Sequence, residues 1–230
     1  MKTIASDNDE FEHPFSFFIG TKPIKAIEDI YRNLLPFGEE NIIARGRCLD
    51  LESPKYGGGV FLIQHGLLSC CSAESNIIKG TYLSPSIAGL VDAYSCFYDI
   101  PGRVRHYYYA ETEVIGFFIP LKRFVDIIDS NAVLWHQIAR ILAHRLMTIS
   151  SRDSTFLDGD SYMAIKSLLE EIYFYPEQYR RQIYIANYIM KRTGISRSRI
   201  MKILLDLKLG GYIDVSHGRL VSLSKLPSRY

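Results

Sequence analysis

Apolar positions recur with a helical period near the start of the chain and throughout its second half, and with no such period in between. Ile24, Ile27, Tyr31 and Leu34 share one face of a helix predicted from Ile24 to Leu35, with Pro36 just past its end. From Glu39 to about Glu113 short runs of Val, Ile, Tyr and Phe alternate with Gly57-Gly58-Gly59, Gly66, Gly80, Pro85, Gly89 and Pro101-Gly102. That texture predicts a compact antiparallel β domain of many short strands. His106 to Tyr109 reads as a strand with aromatics on both faces, and Val114 to Pro120 continues the series. The period then switches. Leu121 to Ile128 predicts a short helix with Phe124, Val125 and Ile128 inward, and Asn131 to about Arg152 a longer one.

Along that longer helix Trp135, Ala139, Leu142, Leu146 and Ile149 recur at spacings of four, three, four and three, with Leu134, Ile138 and Ile141 beside them. A stripe this wide suits a helix packed both on its own domain and on a second copy of itself. Trp135, Ile138, Ala139, Leu142, Leu146 and Ile149 are the candidate dimer contacts; the alternative is a helix lying only on its own β domain. Ser150 to Ser154 and Asp158-Gly159-Asp160 form a polar break that suggests a hinge. The expected division is a flexible acidic segment over 1–15, a β domain over 16–130, a dimerisation helix over 131–153 and a third unit over 154–230. In the third unit Tyr162, Ile165, Leu168, Leu169 and Ile172 predict an amphipathic helix closed before Pro176.

The densest local signal lies between Thr193 and Leu204. Ile185 to Arg192 predicts a short helix with Ile185, Tyr188 and Ile189 inward. Gly194 stands where a tight turn needs positive φ, Ile195 plugs the turn, and the Ser196 hydroxyl is placed to cap the next helix. That helix buries Ile200, Ile203, Leu204 and Leu207, leaving Arg197, Ser198, Arg199, Met201 and Lys202 outside or at its flanks. The layout is a helix-turn-helix whose second helix would enter the major groove of double-stranded DNA. Arg197 is the candidate for two hydrogen bonds to guanine, Ser198 and Lys202 for bases or phosphates, Arg199 for a flanking phosphate. Gly210-Gly211 closes the helix. Tyr212 to Val215 and Leu220 to Leu223, joined by Ser216-His217-Gly218-Arg219, predict a small hairpin, which makes the motif winged. Arg219 at its tip is a candidate phosphate contact.

Charge sharpens this picture. Gln178 to Lys225 holds ten Lys and Arg against two acids, a charge of +8, which leaves −6 for the rest of a chain with a net charge of +2. A basic unit joined to an acidic one is the footprint of a polyanion binder. No run reaches eighteen apolar residues, and the acidic N-terminus (Asp7, Asp9, Glu10) is unlike a secretory signal, so a cytoplasmic protein with no membrane partner is expected. Cys48, Cys70, Cys71 and Cys96 lack CxxC spacing or a paired His, so no metal site is expected. Buried thiols are the plain reading; Cys70 and Cys71, adjacent and on opposite faces if in a strand, are the candidate redox pair. No GxSxG, HExxH or phosphate-binding GxxxxGK occurs, so no enzyme is expected.

The whole order resembles the cyclic-AMP receptor protein and fumarate–nitrate regulator family of bacterial transcription factors over about residues 35 to 225. The likeness is strongest from Gly194-Ile195-Ser196-Arg197 to Ile203-Leu204, and within the family it looks like the enterobacterial subgroup named for inhibition of hydrogen peroxide resistance. The resemblance implies an α+β fold: an N-terminal β-roll or jelly-roll of the cyclic-nucleotide-binding type, a long dimerisation helix and a C-terminal winged helix-turn-helix. It also implies a homodimer on two half-sites, a stress-related regulator, and RNA polymerase as a further partner.

Departures from the family pattern matter as much. Ser198 replaces a frequent glutamate, so the half-site should differ. Where the family's cyclic-nucleotide pocket has Gly-Glu and Arg-Ser pairs, this chain reads Gly89-Leu90 and Arg103-Val104-Arg105-His106. No cyclic-AMP binding and no resident cofactor are expected, and the two loop arginines are read as surface residues. The competing readings are a haem, metal or ligand sensor using His65, His106 or a cysteine, and a regulator that acts by binding a protein partner.

Overall fold

The computed structural model describes residues 18–157 and 161–229, and the side chains of 18–150 and 161–229. The expected acidic segment 1–15 and Asp158-Gly159-Asp160 lie outside the described residues. The chain enters through α1 (Ile24–Leu34), which ends in a short 3-10 turn carrying Pro36. Eight strands follow: β1 (Glu39–Ile43), β2 (Cys48–Leu49), β3 (Gly59–His65), β4 (Leu67–Ser72), β5 (Ile78–Leu83), β6 (Ser86–Ala88), β7 (His106–Ala110) and β8 (Val114–Pro120). They form two antiparallel four-stranded sheets, ordered β1-β8-β3-β6 and β2-β7-β4-β5.

The period-2 geometry of a strand explains how one apolar run serves two cores. Along Val60-Phe61-Leu62-Ile63, Phe61 and Ile63 point between the sheets to meet Leu68, Cys70, Tyr108, Ala110 and Phe118. Val60 and Leu62 point the other way, onto Ile27, Ile30 and Leu34 of α1 and onto Phe124 and Ile128 of α3 (Leu121–Asp129). A strand covered on both faces must be apolar throughout, as this one is. Tyr108 is buried in the sandwich, while its strand neighbours Tyr107 and Tyr109 are half-buried on the outer face.

One helix inside the β domain departs from the expected pattern. α2 (Leu90–Phe97) follows Gly89, whose left-handed φ of 86° makes the corner out of β6. Its eight residues are too few for a periodic signal to stand out among the surrounding strand runs.

The long helix α4 spans Ala132–Leu157, with the Asn131 carboxamide accepting from the Val133 backbone N–H at its start. It runs on through Ser150–Ser154, where the sequence suggests a hinge; polar residues alone do not end a helix when no glycine or proline interrupts it. Leu134, Ile138 and Ile141 are buried against α1 and α3. The last unit follows: α5 (Ser161–Phe174), the single-turn α6 (Glu177–Arg180), α7 (Ile185–Thr193), α8 (Arg197–Leu209), β9 (Ile213–Ser216) and β10 (Arg219–Leu223). Its core joins Tyr162, Ile165, Leu169 and Ile172 to Ile185, Ile189, Ile200, Ile203, Leu220 and Leu226. Leu67 of β4 belongs to this same cluster, so the β domain and the last unit share a packed seam.

Candidate nucleic-acid interface

The turn between α7 and α8 is built as its residues require. Gly194 adopts φ 70°, which an L side chain pays for in strain, and caps α7 by donating its N–H to the Met190 carbonyl oxygen. Ile195 packs half-buried on the core, and the Ser196 hydroxyl accepts from the Arg199 N–H at 3.4 Å. Ile200, Ile203, Leu204 and Leu207 are buried, so the helix has only one way to sit. That places Ser196, Arg197, Ser198, Arg199 and Lys202 all on the exposed side. Arg197 alone among them is steadied by a side chain of α7, donating from Nη1 to Asn187 Oδ1 at 3.4 Å.

Arg219, the candidate phosphate contact of the wing, is partnered within the chain. The tip itself is His217-Gly218, with φ 50° and 75°, the signature of a tight two-residue hairpin turn. Arg219 lies one position behind it, half-buried, with its guanidinium 5.0 Å over the Tyr184 ring and Nη2 donating to the Tyr184 hydroxyl at 3.2 Å. Arg45, from the turn between β1 and β2, also lies 5.0 Å from that ring. Hydrogen bonds from Arg45 and Arg219 hold the Tyr184 phenol below its usual pKa.

On α4 the candidate dimer contacts divide. Ile138 is fully buried in its own domain and so cannot meet a second copy. The apolar periodicity could not separate it from its neighbours, because the inward and outward faces of this helix are both apolar. Leu142 is half-buried. Trp135 stacks on Tyr94 at 5.0 Å and donates from Nε1 to Asp129 Oδ1 at 3.1 Å, yet stays 36% exposed. Ala139 is exposed, and Leu146 and Ile149 are 66% and 49% exposed. An apolar strip in water along a long helix is an exposed surface of the kind that marks an interaction site.

Cys70 and Cys71 point to opposite faces of β4, as their adjacency requires, but both are buried. Burial pushes the Cys70 thiol up to about 12 and the Cys71 thiol to about 11. A redox sensor needs an accessible thiolate, so this geometry supports the plain reading of buried thiols over the candidate redox pair. Cys48, by contrast, is exposed.

A cavity of about 220 Å³ opens between β5, β7, the start of α2 and the long helix. Tyr82, Tyr108, Leu90 and Ile141 line its apolar wall. Arg145 lies 4.5 Å over Tyr82 and donates to the Ile87 carbonyl oxygen, while Lys22, close by, donates to the Leu83 carbonyl oxygen. Burial, with Arg145 nearby, lowers the Lys22 ammonium to about 8. Arg103 and Arg105 are not among its lining residues. Instead Arg103 forks onto the Glu52 carboxylate and Arg105 Nε lies 3.3 Å from it. The Arg103 side chain is only 18% exposed, so it is a paired group and not the solvated surface residue expected. Among the described residues no cluster of His, Cys, Asp and Glu could hold a metal ion.

At the cavity's floor Asp92, buried, accepts from the Tyr108 hydroxyl at 2.9 Å and lies 2.7 Å from His106 Nδ1. The bond to Asp92 raises the His106 pKa above its usual 6.5, against the opposing effect of burial. A raised folded pKa gives stability that is complete below about 6.5 and is lost as pH rises through the folded value. His144 titrates with the opposite sign, since burial lowers its pKa. The comparison with His106→Gln therefore isolates the effect. From pH 6 to 9 the melting temperature of the parent should fall relative to that of the variant in scanning calorimetry. Parallel curves would remove His106 from the pH dependence.

Residues 161–228 match the winged helix-turn-helix DNA binding family. The inhibitor of hydrogen peroxide resistance of Escherichia coli K12 is 33% identical over 209 residues, covering 91% of this chain and 98% of that protein. The protein of the same name from Salmonella typhimurium is 29% identical over 170 residues, covering 74% and 79%. Among solved structures, the c-di-GMP responsive global regulator CLP of Xanthomonas campestris superposes with a TM-score of 0.67 at 14% identity, over 86% of this chain and all of that one. A putative regulator of the crp/fnr family from Eubacterium rectale gives 0.64 at 16%, over 85% and 90%. At such identities the structures share the fold; residue roles rest on the geometry above.

Proposed function

The chain belongs to the family of the inhibitor of hydrogen peroxide resistance and is a DNA-binding transcriptional regulator of the crp/fnr fold, and from that premise we propose that it works as a cytoplasmic homodimer reading two half-sites. The observation that carries this is the capped helix α8, with Arg197, Ser198, Arg199 and Lys202 exposed side by side on a unit of charge +8. Arg197 and Ser198 read bases, while Arg199 and Lys202 contact phosphates. Arg219 acts through Tyr184 to stiffen the wing. The exposed strip from Trp135 to Ile149 joins two copies, spacing their α8 helices for neighbouring turns of one DNA face. RNA polymerase is the machinery such a dimer would engage. The relatives' name supports a stress-related role. Among the described residues no helix is long and apolar enough to cross a membrane. Selection from a random duplex library should return paired half-sites; a library recovered without sequence enrichment would defeat the proposal.

The cavity favours a second reading, a regulator that responds to a small molecule. Its aromatic and aliphatic wall beside Arg145 and Lys22 suits a compact apolar body with an anionic group. Gly89-Leu90 in place of the Gly-Glu pair argues against a cyclic nucleotide. Native mass spectrometry of freshly purified protein tests this directly: a mass that is the polypeptide's own, in one copy or two, with nothing added in every preparation, would count against a resident ligand.

A further inference from the structure

One buried cation is unused by the DNA-reading surface. Arg192 closes the last turn of α7, five residues before Arg197, and its side chain is 2% exposed. It bridges its own unit and the β domain. Nη2 crosses to the β domain, where its two N–H groups are shared among Ser69 Oγ at 2.8 Å, Thr81 Oγ1 at 2.7 Å and Glu111 Oε1 at 2.9 Å. Those three acceptors come from β4, from β5 and from just beyond β7. They are joined among themselves, since Ser69 Oγ lies 3.1 Å from Thr81 Oγ1 and donates to Glu111 Oε1 at 2.8 Å. On the near side Nη1 donates to the Tyr188 carbonyl oxygen at 3.1 Å, and the guanidinium lies 3.2 Å over the Tyr188 ring. Burial disfavours this charge, but Tyr188, Glu111 and Glu171 around it more than compensate, and its pKa is raised. The guanidinium is a fixed cation in a socket with directional acceptors.

Two flanking contacts act in the same sense. The Tyr179 hydroxyl accepts from the Gly66 N–H at 3.2 Å and lies 3.1 Å from His65 Nδ1 and 3.2 Å from Ser84 Oγ. Lys191 Nζ sits 3.2 Å over the Tyr109 ring. A hydrophobic seam tolerates sliding, because its contacts are non-directional. The Arg192 socket does not: a guanidinium that moves by an ångström loses its acceptors.

From this socket we propose that Arg192 is a positioning residue that fixes the separation and orientation of the two reading helices, and so sets the half-site spacing the dimer accepts. The proposal rests on the homodimer reading. Dimerisation through α4 places the β domains relative to one another; the socket then carries that placement to α7 and, through the rigid Gly194 turn, to α8. Without it the reading unit would be held to the β domain only by the apolar seam, free to adjust to half-sites at other distances. Base preference within each half-site would stay as it is, since Arg197 and Ser198 are untouched.

The test uses the full-length protein, an Arg192→Met/Glu111→Gln variant that removes both members of the ion pair, and a Ser69→Ala/Thr81→Val variant that strips two acceptors and keeps the ion pair. Each is put through selection from a random duplex library, with calorimetry to show a cooperative melt. If the first variant does not fold, the second decides the question. Parent protein should return one centre-to-centre spacing, and the variants the same half-site bases at a spread of spacings. Inserting about five base pairs, roughly half a helical turn, into the parent's operator should weaken parent binding by about 100-fold, because simultaneous engagement is lost, and variant binding by less than about 10-fold. Variants that keep the parent's single spacing and its sensitivity to insertion would overturn the proposal. Altered half-site bases would also overturn it, by showing that Arg192 acts on the reading surface itself. Unpaired half-sites from the parent would instead mark failure of the homodimer reading.

Discussion

Replacing Ala139 and Leu146 by glutamate is expected to leave each chain folded, to give a monomer in multi-angle light scattering, and to lower operator affinity by about 100-fold or more. Both positions are exposed in the single chain, so neither substitution opens a cavity or buries a charge within it. They are one heptad apart on α4 and lie on the strip that continues through Trp135 and Ile149. Each large apolar side chain brought out of water contributes roughly 1.5–3 kcal/mol, and the two-fold relation counts each twice. Four carboxylates crowded into that strip would replace attraction by repulsion. The loss of DNA affinity then follows without any change in the reading helix: two linked half-site contacts become two independent ones. A variant that remains dimeric would place the interface on another surface, and a monomer that binds DNA as tightly as the parent would break the link between dimerisation and binding.

Arg197→Ala is expected to cost about 1–3 kcal/mol per half-site in binding to the selected operator and to leave binding to random duplex almost unchanged. The reason is its position. It is the first residue of α8, beyond the Ser196 cap, exposed and already oriented by Asn187. A guanidinium held there can present two parallel donors to a guanine edge, a pattern that no other base pair reproduces. Lys202→Ala should behave differently, weakening specific and non-specific binding alike and lowering the salt dependence, as a phosphate contact does. Competition titrations measure both quantities. If the ratio of specific to random affinity survives in Arg197→Ala, the base contact belongs to another residue.

What could be read from the chain, and what could not, follows from how local each feature is. The α7–α8 turn is legible down to single residues because every part of it is local: a positive-φ glycine, a capping hydroxyl and four buried apolar positions lie within the fourteen residues from Gly194 to Leu207. The β domain was legible as texture, since alternating runs between glycines demand strands, but no periodicity states which strands pair. The pairing of β3 with β8 and β6, and of β4 with β5 and β7, is long-range information. Ile138 was misassigned for a related reason. On a helix that is apolar on two faces, only the fold tells which face is already covered.

Arg192 is the instructive omission. In sequence it is one more cation in a basic stretch, beside Lys191, and nothing in its neighbourhood announces burial. The signal that could have found it lies 81 to 123 residues upstream, where Ser69, Thr81 and Glu111 bring polar groups to an otherwise apolar strand region. The loop arginines illustrate the converse. Arg103 stands where the family pattern places an anion site, but Glu52, 51 residues before it, already satisfies it.

The socket also bears on modularity. Proteins of this architecture look like two exchangeable parts, a β domain and a DNA-reading head joined by a helix. In this chain the parts carry a lock and a key. A head lacking an arginine at the position of Arg192 would leave the Glu111 carboxylate buried and without its cation, a loss on the order of 3–5 kcal/mol when one partner of a buried pair is removed. A β domain lacking the hydroxyls of Ser69 and Thr81 would leave the guanidinium short of acceptors. Chimaeras between this protein and its structural relatives should therefore melt lower when only one half of the socket is present than when both halves travel together, and drift in one half constrains the other.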